Sequence, residues 1–212
     1  FARTPRAAGA MMADLVTAPN RVTWDDTAEV LDIDETALRT GIIAPRLYGL
    51  ARVPVAQNLM QAAKGGSRQD ATTTLSSAAT AVVQGMVPGT LYVIGPGTSA
   101  GAVMLAAGHI PTMLGTDALL DGQVVALDAH AATLNTLAAN RPVKLILGVT
   151  GQQGFLLGRG NQQISPTLIT RAGPEGLIVL ATEAKLASLA QPRLWVDTGD
   201  ATLDTALSGF IR

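Results

Sequence analysis

The chain has 212 residues, of which 48% are apolar and 15% charged, with a formal net charge of −1 and no cysteine. That composition excludes a disordered polypeptide. The absence of any basic block argues against nucleic acid as a partner, and no apolar run approaches the roughly 20 residues of a membrane-spanning helix. Without cysteine there are no disulfides, thiol nucleophiles or thiolate metal sites, which fits a reducing compartment.

In chain order, Thr4-Pro5 predicts a helix start, with the helix running through Ala7, Met11, Met12 and Leu15 and ending before Pro19. Thr27–Asp34 alternates polar and apolar residues, as a half-buried strand does. Asp32, Asp34 and Glu35 cluster at its end, either as a helix cap or as carboxylates for ribose hydroxyls or a metal. Arg46–Val55 reads as a second strand, broken at Pro54. The polar stretch Gln57–Asp70, with Lys64 and Arg68, reads as a loop after a short helical piece around Leu59 and Met60. Asp70 is placed to cap a helix from Ala71 to about Met86, whose apolar residues Leu75, Ala78, Ala79, Val82 and Val83 recur at helical spacing.

Thr90–Ile94, Gly95-Pro-Gly-Thr-Ser99 and Ala100–Ala107 spell a buried strand, a tight glycine turn and an apolar helix. Helix-start amides there would favour an anion, and Thr98 or Ser99 would add a hydroxyl. The segment lacks the Lys-Ser/Thr of a P-loop, so a plain turn is an equal reading. Thr112–Asp128 reads as two strands joined at Asp121-Gly122, a strong hairpin signal, followed by a helix over Ala131–Ala139 and a buried strand over Val143–Val149. Further on come a helix over Pro166–Arg171, a strand over Gly176–Ala181, a helix over Glu183–Leu189, a strand over Leu194–Val196 and a final helix over Ala201–Leu207. The alternation predicts an α/β fold: a largely parallel sheet with flanking helices, plus an antiparallel hairpin portion. His109 and His130 lie in separate segments without metal-ligand spacing and read as surface or capping residues.

The most conspicuous stretch is Gly151–Pro166, with four glycines in its first ten residues and Arg159, Asn161 and Gln162 among them. Glycine permissiveness and donor density together point to a ligand-binding loop, with a glycine-rich structural turn as the alternative. The loops at Gly95, Gly151 and Asp197 each follow a predicted strand, so all three are candidates for one rim. Asp197 and Asp200 would there orient a hydroxyl or hold Mg²⁺, unless Asp200 simply caps the final helix.

Taken together, Thr4-Pro-Arg-Ala-Ala, Asp32-Ile-Asp-Glu35, Gly95-Pro-Gly-Thr98, Leu114-Gly-Thr-Asp117, Gly154-Phe-Leu-Leu-Gly-Arg-Gly-Asn-Gln-Gln-Ile-Ser-Pro166, Ala181-Thr182 with Lys185-Leu186, and Asp197-Thr-Gly-Asp200 resemble the ATP-NAD kinase family. The branch they most resemble includes the acetoin-catabolism X proteins. The resemblance implies a cytoplasmic phosphotransferase that uses ATP or polyphosphate and NAD with Mg²⁺ in NADP biosynthesis. It also implies homo-oligomers and an NAD kinase-like fold.

By the same resemblance Gly95, Gly97, Thr98, Ser99, Gly151, Gly154, Arg159, Asn161, Gln162 and Glu35 would bind nucleotide or phosphate, and Asp197 and Asp200 would bind metal. Such kinases carry a Gly-Gly-Asp-Gly-Thr motif in an amino-terminal domain, whose aspartate activates the accepting hydroxyl. This sequence has no such motif, and it has Gln152 where the family usually has glycine. Residues 1–212 are therefore expected to form a carboxy-terminal portion, with a subdivision near residue 88 and the catalytic base outside this chain. A non-catalytic, nucleotide-binding regulatory protein is the alternative.

Overall fold

A computed structural model describes residues 5–40, 45–55, 71–149, 154–187, 189, 192–207 and 209–210. Gly151, the cap residues Thr4 and Asp70, and the Gln57–Asp70 stretch lie outside the described residues. The chain divides into two compact units, Phe1–Ala63 and Lys64–Arg212.

The first unit contains helix α1 (Pro5–Thr17), strand β1 (Thr23–Ile33), the short helix α2 (Glu35–Arg39) and strand β2 (Pro45–Val55). The two strands pair antiparallel from Thr23 opposite Val55 to Ile33 opposite Pro45. The expected break at Pro54 does not occur: Pro54 stands in register with Trp24. A two-stranded ribbon leaves each strand an open edge, where a residue without an N–H is tolerated. Asp34 is the cap of α2, accepting from the Ala37 amide at 3.0 Å, with Arg46 at 3.5 Å. The Ala37 hydrogen bond, helped by the Arg46 charge, holds its carboxyl below the ordinary aspartate value.

The second unit is built on a five-stranded sheet of order β5-β4-β3-β6-β8. Its strands are β3 (Leu91–Ile94), β4 (Asp117–Leu120), β5 (Gln123–Ala126), β6 (Val143–Gly148) and β8 (Leu177–Leu180). β3, β6 and β8 run parallel, whereas β4 is antiparallel to β3 and to β5. Leu91 and Val93 face one core with Leu145, Leu147, Leu134, Leu168 and Ile169. Tyr92 and Ile94 face another with Ile146, Ala79, Val103 and Met104. Two buried faces explain why the β3 sequence is continuously apolar rather than alternating.

Helices α3 (Ala71–Gln84) and α4 (Thr98–Ala106) supply the second face; α5 (Ala131–Ala138) and α6 (Pro166–Ala172) supply the first. The apolar side of α3 thus belongs with the sheet that follows it, which puts the boundary between units at residue 63 rather than near 88. Each large aliphatic side chain buried here contributes about 1.5–3 kcal/mol. Tyr92 keeps its hydroxyl satisfied by accepting the Val87 amide at 2.9 Å.

The hairpin turns at Asp121 and Gly122, both with positive φ (52° and 74°), the geometry that makes Asp-Gly a hairpin signal. Its strands are shorter than the predicted span, because residues 112–116 are held in a loop by the buried Asp117 carboxylate. That carboxylate accepts from the amides of Thr112 (2.8 Å) and Asp128 (3.0 Å) and from the Thr112 hydroxyl. His109 reaches the same hairpin, its Nε2 lying 2.9 Å from the Gly122 carbonyl.

A second sheet was not anticipated as such. Strand β7 (Phe155–Leu157) pairs parallel with β9 (Arg193–Val196), and β10 (Gly209–Phe210) pairs antiparallel with β9. Between β8 and β9 lies α7 (Glu183–Ala187), and α8 (Ala201–Leu207) precedes β10. The mixed α/β architecture expected from the sequence is present, with a parallel centre, flanking helices and an antiparallel portion.

Candidate functional site

The carboxyl ends of β3, β6 and β8 lie along one edge of the five-stranded sheet, with Ile94 paired to Ile146 and Gly148 to Leu180. In open α/β sheets this edge is where ligands bind. From β3 the chain passes through Gly95, whose amide donates to the Ile146 carbonyl at 2.9 Å, and Pro96 to Gly97. Gly97 has φ 97° and ψ 165°, a conformation essentially restricted to glycine, and its amide donates to the Met113 carbonyl at 3.0 Å. It is the residue before α4, and no side chain caps that helix. The amides of the first turn therefore open at the sheet edge, where partial positive charge favours an anion. Thr98 is exposed there, while Ser99 is only 4% exposed.

Ser99 has a partner that sequence reading did not single out as a site residue. The Lys185 Nζ donates to Ser99 Oγ at 3.1 Å and to the Val149 carbonyl at 3.4 Å. Lys185 is aimed there by its helix: Thr182 caps α7, its hydroxyl accepting the Lys185 amide at 3.2 Å. Burial lowers the proton affinity of the Lys185 amine below the ordinary lysine value. One ammonium so ties together the segments that follow β3, β6 and β8. The available signal was a lysine three residues after a Thr cap, near a helix start where the dipole does not favour a cation.

The Gly154–Pro166 loop is built differently. Phe155–Leu157 is a fully buried strand rather than a loop, and Gly154 and Leu157 carbonyls accept from Trp195 (2.8 Å) and Asp197 (3.1 Å). Gly158 has φ 86°, and a Cβ added to it would lie 1.8 Å from the Asp197 carbonyl oxygen. Asn161, 6% exposed, receives the Gly158 amide at 2.7 Å and donates to the Leu156 carbonyl at 2.9 Å. The Arg159 guanidinium stacks 4.5 Å over the Phe155 ring, and Gln162 is exposed. Ser165 caps α6 through the Leu168 amide at 3.3 Å and donates to Asn135 at 3.1 Å.

The family model of the ATP-NAD kinase C-terminal domain matches residues 101–212, which is 112 of the 212 residues. The chain belongs to the ATP-NAD kinase family. No curated protein and no solved structure matches it. The matched span holds the Gly154–Pro166 loop, Lys185 and Asp197–Asp200, and begins just after the Gly95–Ser99 turn.

For this ATP-NAD kinase family member the remaining candidates fall as follows. Asp197 leads out of β9 of the three-stranded sheet, whereas Ser99, Val149 and Lys185 follow β3, β6 and β8 of the five-stranded sheet; the loop at Gly151 lies outside the described residues. Asp200 caps α8, its Oδ1 accepting the Thr202 (2.9 Å) and Leu203 (3.1 Å) amides. The neighbouring Asp204, unremarked in the sequence, accepts both the amide (2.7 Å) and the hydroxyl (2.6 Å) of Thr198. Among the described residues no group of three or more His, Asp or Glu side chains could hold a metal ion. Glu35 is an exposed first-turn residue of α2, in the other compact unit. No helix among the described residues is long and apolar enough to cross a membrane.

Proposed function

We propose that the chain is the nucleotide-binding, carboxy-terminal part of an NAD kinase-type phosphotransferase, which moves a phosphoryl group from ATP or polyphosphate to NAD. The observation that carries this reading is a family match over 101–212 abutting a strand–glycine–helix turn at the ligand edge of a parallel sheet. Phosphoryl transfer requires positioning and neutralisation of charge more than covalent chemistry. The amides of Thr98 and Ser99 and the hydroxyls of the same two residues are donors of the type that holds phosphate. In this reading Arg159 and Gln162 contact base, ribose or phosphate, with Gly154 and Asn161 shaping the loop. Mg²⁺ would enter on the donor's phosphates, since it is commonly held by one or two carboxylates plus phosphate oxygens.

The Gly-Arg-Gly-Asn-Gln-Gln segment supports placing the chain in the branch that includes the acetoin-catabolism X proteins. A cytoplasmic homo-oligomer with an amino-terminal catalytic domain is part of the same proposal. Because the sequence carries no Gly-Gly-Asp-Gly-Thr motif, the 212 residues alone are expected to bind nucleotide with little turnover. A non-catalytic, nucleotide-binding regulator is the second reading on the same ground.

The test is calorimetry with NAD and with ATP, alongside NADP formation in the presence of NAD, ATP and Mg²⁺. Binding with almost no NADP is expected. Brisk NADP formation would refute the restriction to binding, and failure to bind either nucleotide would overturn the reading. Arg159→Ala separately tests the Gly154–Pro166 loop: unchanged affinity for every nucleotide tried would remove it from the site.

A further inference from the structure

The contact between Lys185 and Ser99 spans 86 residues of sequence and joins the segments that follow β3 and β8. An ammonium has three donors and no acceptor, whereas a hydroxyl has one proton and two lone pairs. Ser99 Oγ must therefore accept from Lys185, which leaves the serine proton free to be aimed at another oxygen. The bare backbone of Gly148 also lies against Ser99: a Cβ at 148 would come within 3.3 Å of Ser99 Cβ. The Val149 carbonyl takes a second ammonium proton and fixes the lysine head at the end of β6. Keeping an ammonium half-buried is unfavourable, as its lowered proton affinity shows, and a neutral side chain would tie these segments together without that penalty.

We propose that Lys185 is a positioning residue for an anionic phosphate oxygen: it pins Ser99 Oγ as an acceptor so that the serine hydroxyl is presented to the ligand, and it sets its own charge one hydroxyl away. This rests on reading the Gly95–Ser99 turn as the phosphate-binding turn. The ligand class is a phosphate ester or anhydride, whether the pyrophosphate of a dinucleotide, the chain of a nucleoside triphosphate or a polyphosphate.

The experiment titrates the full chain with NAD, ATP, polyphosphate and, as a phosphate-free control, adenosine, at two salt concentrations. Lys185→Met should weaken the phosphate ligands by about 10- to 100-fold, the range of one charge-assisted hydrogen bond, and leave adenosine unchanged. Its affinity should also depend less on salt than that of the wild type. The ligand with the largest loss identifies which phosphate source occupies the site. Lys185→Arg should recover part of the loss. Ser99→Ala combined with Lys185→Met should lose less than the sum of the single losses, because the two groups act on one oxygen.

If Lys185→Met binds every phosphate ligand as the wild type does, the inference fails while the turn reading stands. An equal loss for adenosine and phosphates, with the salt dependence unchanged, would make Lys185 merely structural and also overturn it. If the wild type binds none of the phosphate ligands, the turn reading fails first and takes the inference with it. Should Lys185→Met melt well below the wild type, Lys185→Arg and Ser99→Ala carry the test: unchanged phosphate affinity in both overturns the proposal.

Discussion

Two glycine-rich segments of this molecule look alike as sequence and differ as structure. In Gly95–Ser99 the positive φ of Gly97 is needed to turn the chain into α4, and a Cβ there would meet nothing within 4 Å. In Gly154–Pro166 the positive φ of Gly158 comes with a backbone pressed against Asp197, and the side-chain amide of Asn161 is bound to the loop's own backbone. One turn leaves helix-start amides at the sheet edge; the other closes on itself to join β7 to β9. A high density of glycines and donors does not distinguish these cases, since both open and closed loops need backbone freedom. Where the donors point distinguishes them.

The largest expected effect contrasts the two glycines. Gly158→Ala combines a left-handed backbone with a direct clash and should lose about 3 kcal/mol or more of unfolding free energy. Gly97→Ala meets open space and should lose only the conformational strain, about 1–2 kcal/mol, while weakening phosphate-ligand binding. Equal destabilisation in urea unfolding would erase the contrast. Next, Asn161→Ala leaves the Gly158 amide without its acceptor and should lower stability by about 2 kcal/mol. A folded, fully stable Asn161→Ala with reduced nucleotide affinity would instead return that side chain to direct ligand contact.

Asp200→Ala should lower stability by about 1 kcal/mol, the typical loss of a helix cap, and leave the Mg²⁺ dependence of nucleotide binding unchanged. Lost Mg²⁺ dependence in that variant would restore Asp200 as a metal ligand. The smallest effect concerns pH. Lys185 has a folded-state value lowered by burial from 10.5. Between that lowered value and 10.5 the unfolded chain binds more protons than the folded one, so stability should rise with pH across this window and level off above it. Stability curves of wild type and Lys185→Met should converge in slope once pH exceeds 10.5; identical slopes throughout would show that the amine titrates normally.

Much of the fold was legible because it follows from local pattern. The apolar runs Leu91–Ile94 and Val143–Gly148 mark buried strands, and Asp121-Gly122 specifies its turn through two positive φ angles. Asp34 and Ser165 were readable as helix-start residues for the same reason, since capping involves a side chain and amides two or three residues away. Phe155–Leu157 was not legible as a strand, because three residues between glycines are too few to show a period. The division at residue 63 was missed because the apolar side of α3 does not itself reveal which sheet it covers. Of the candidate site, the Gly95–Ser99 turn was found and Lys185 was seen only as part of a resemblance.

By itself the sequence determined the order and type of most elements, the α/β class and the family. These depend on propensities and periodicities that neighbouring residues carry. Tertiary structure alone decided that β9 leaves the main sheet, that Asp200 serves a helix, and that the glycine loop after residue 154 is internally braced. It also decided that Lys185 meets Ser99. Such contacts join groups tens of residues apart, and their geometry is fixed by packing of the whole unit rather than by any local run of side chains.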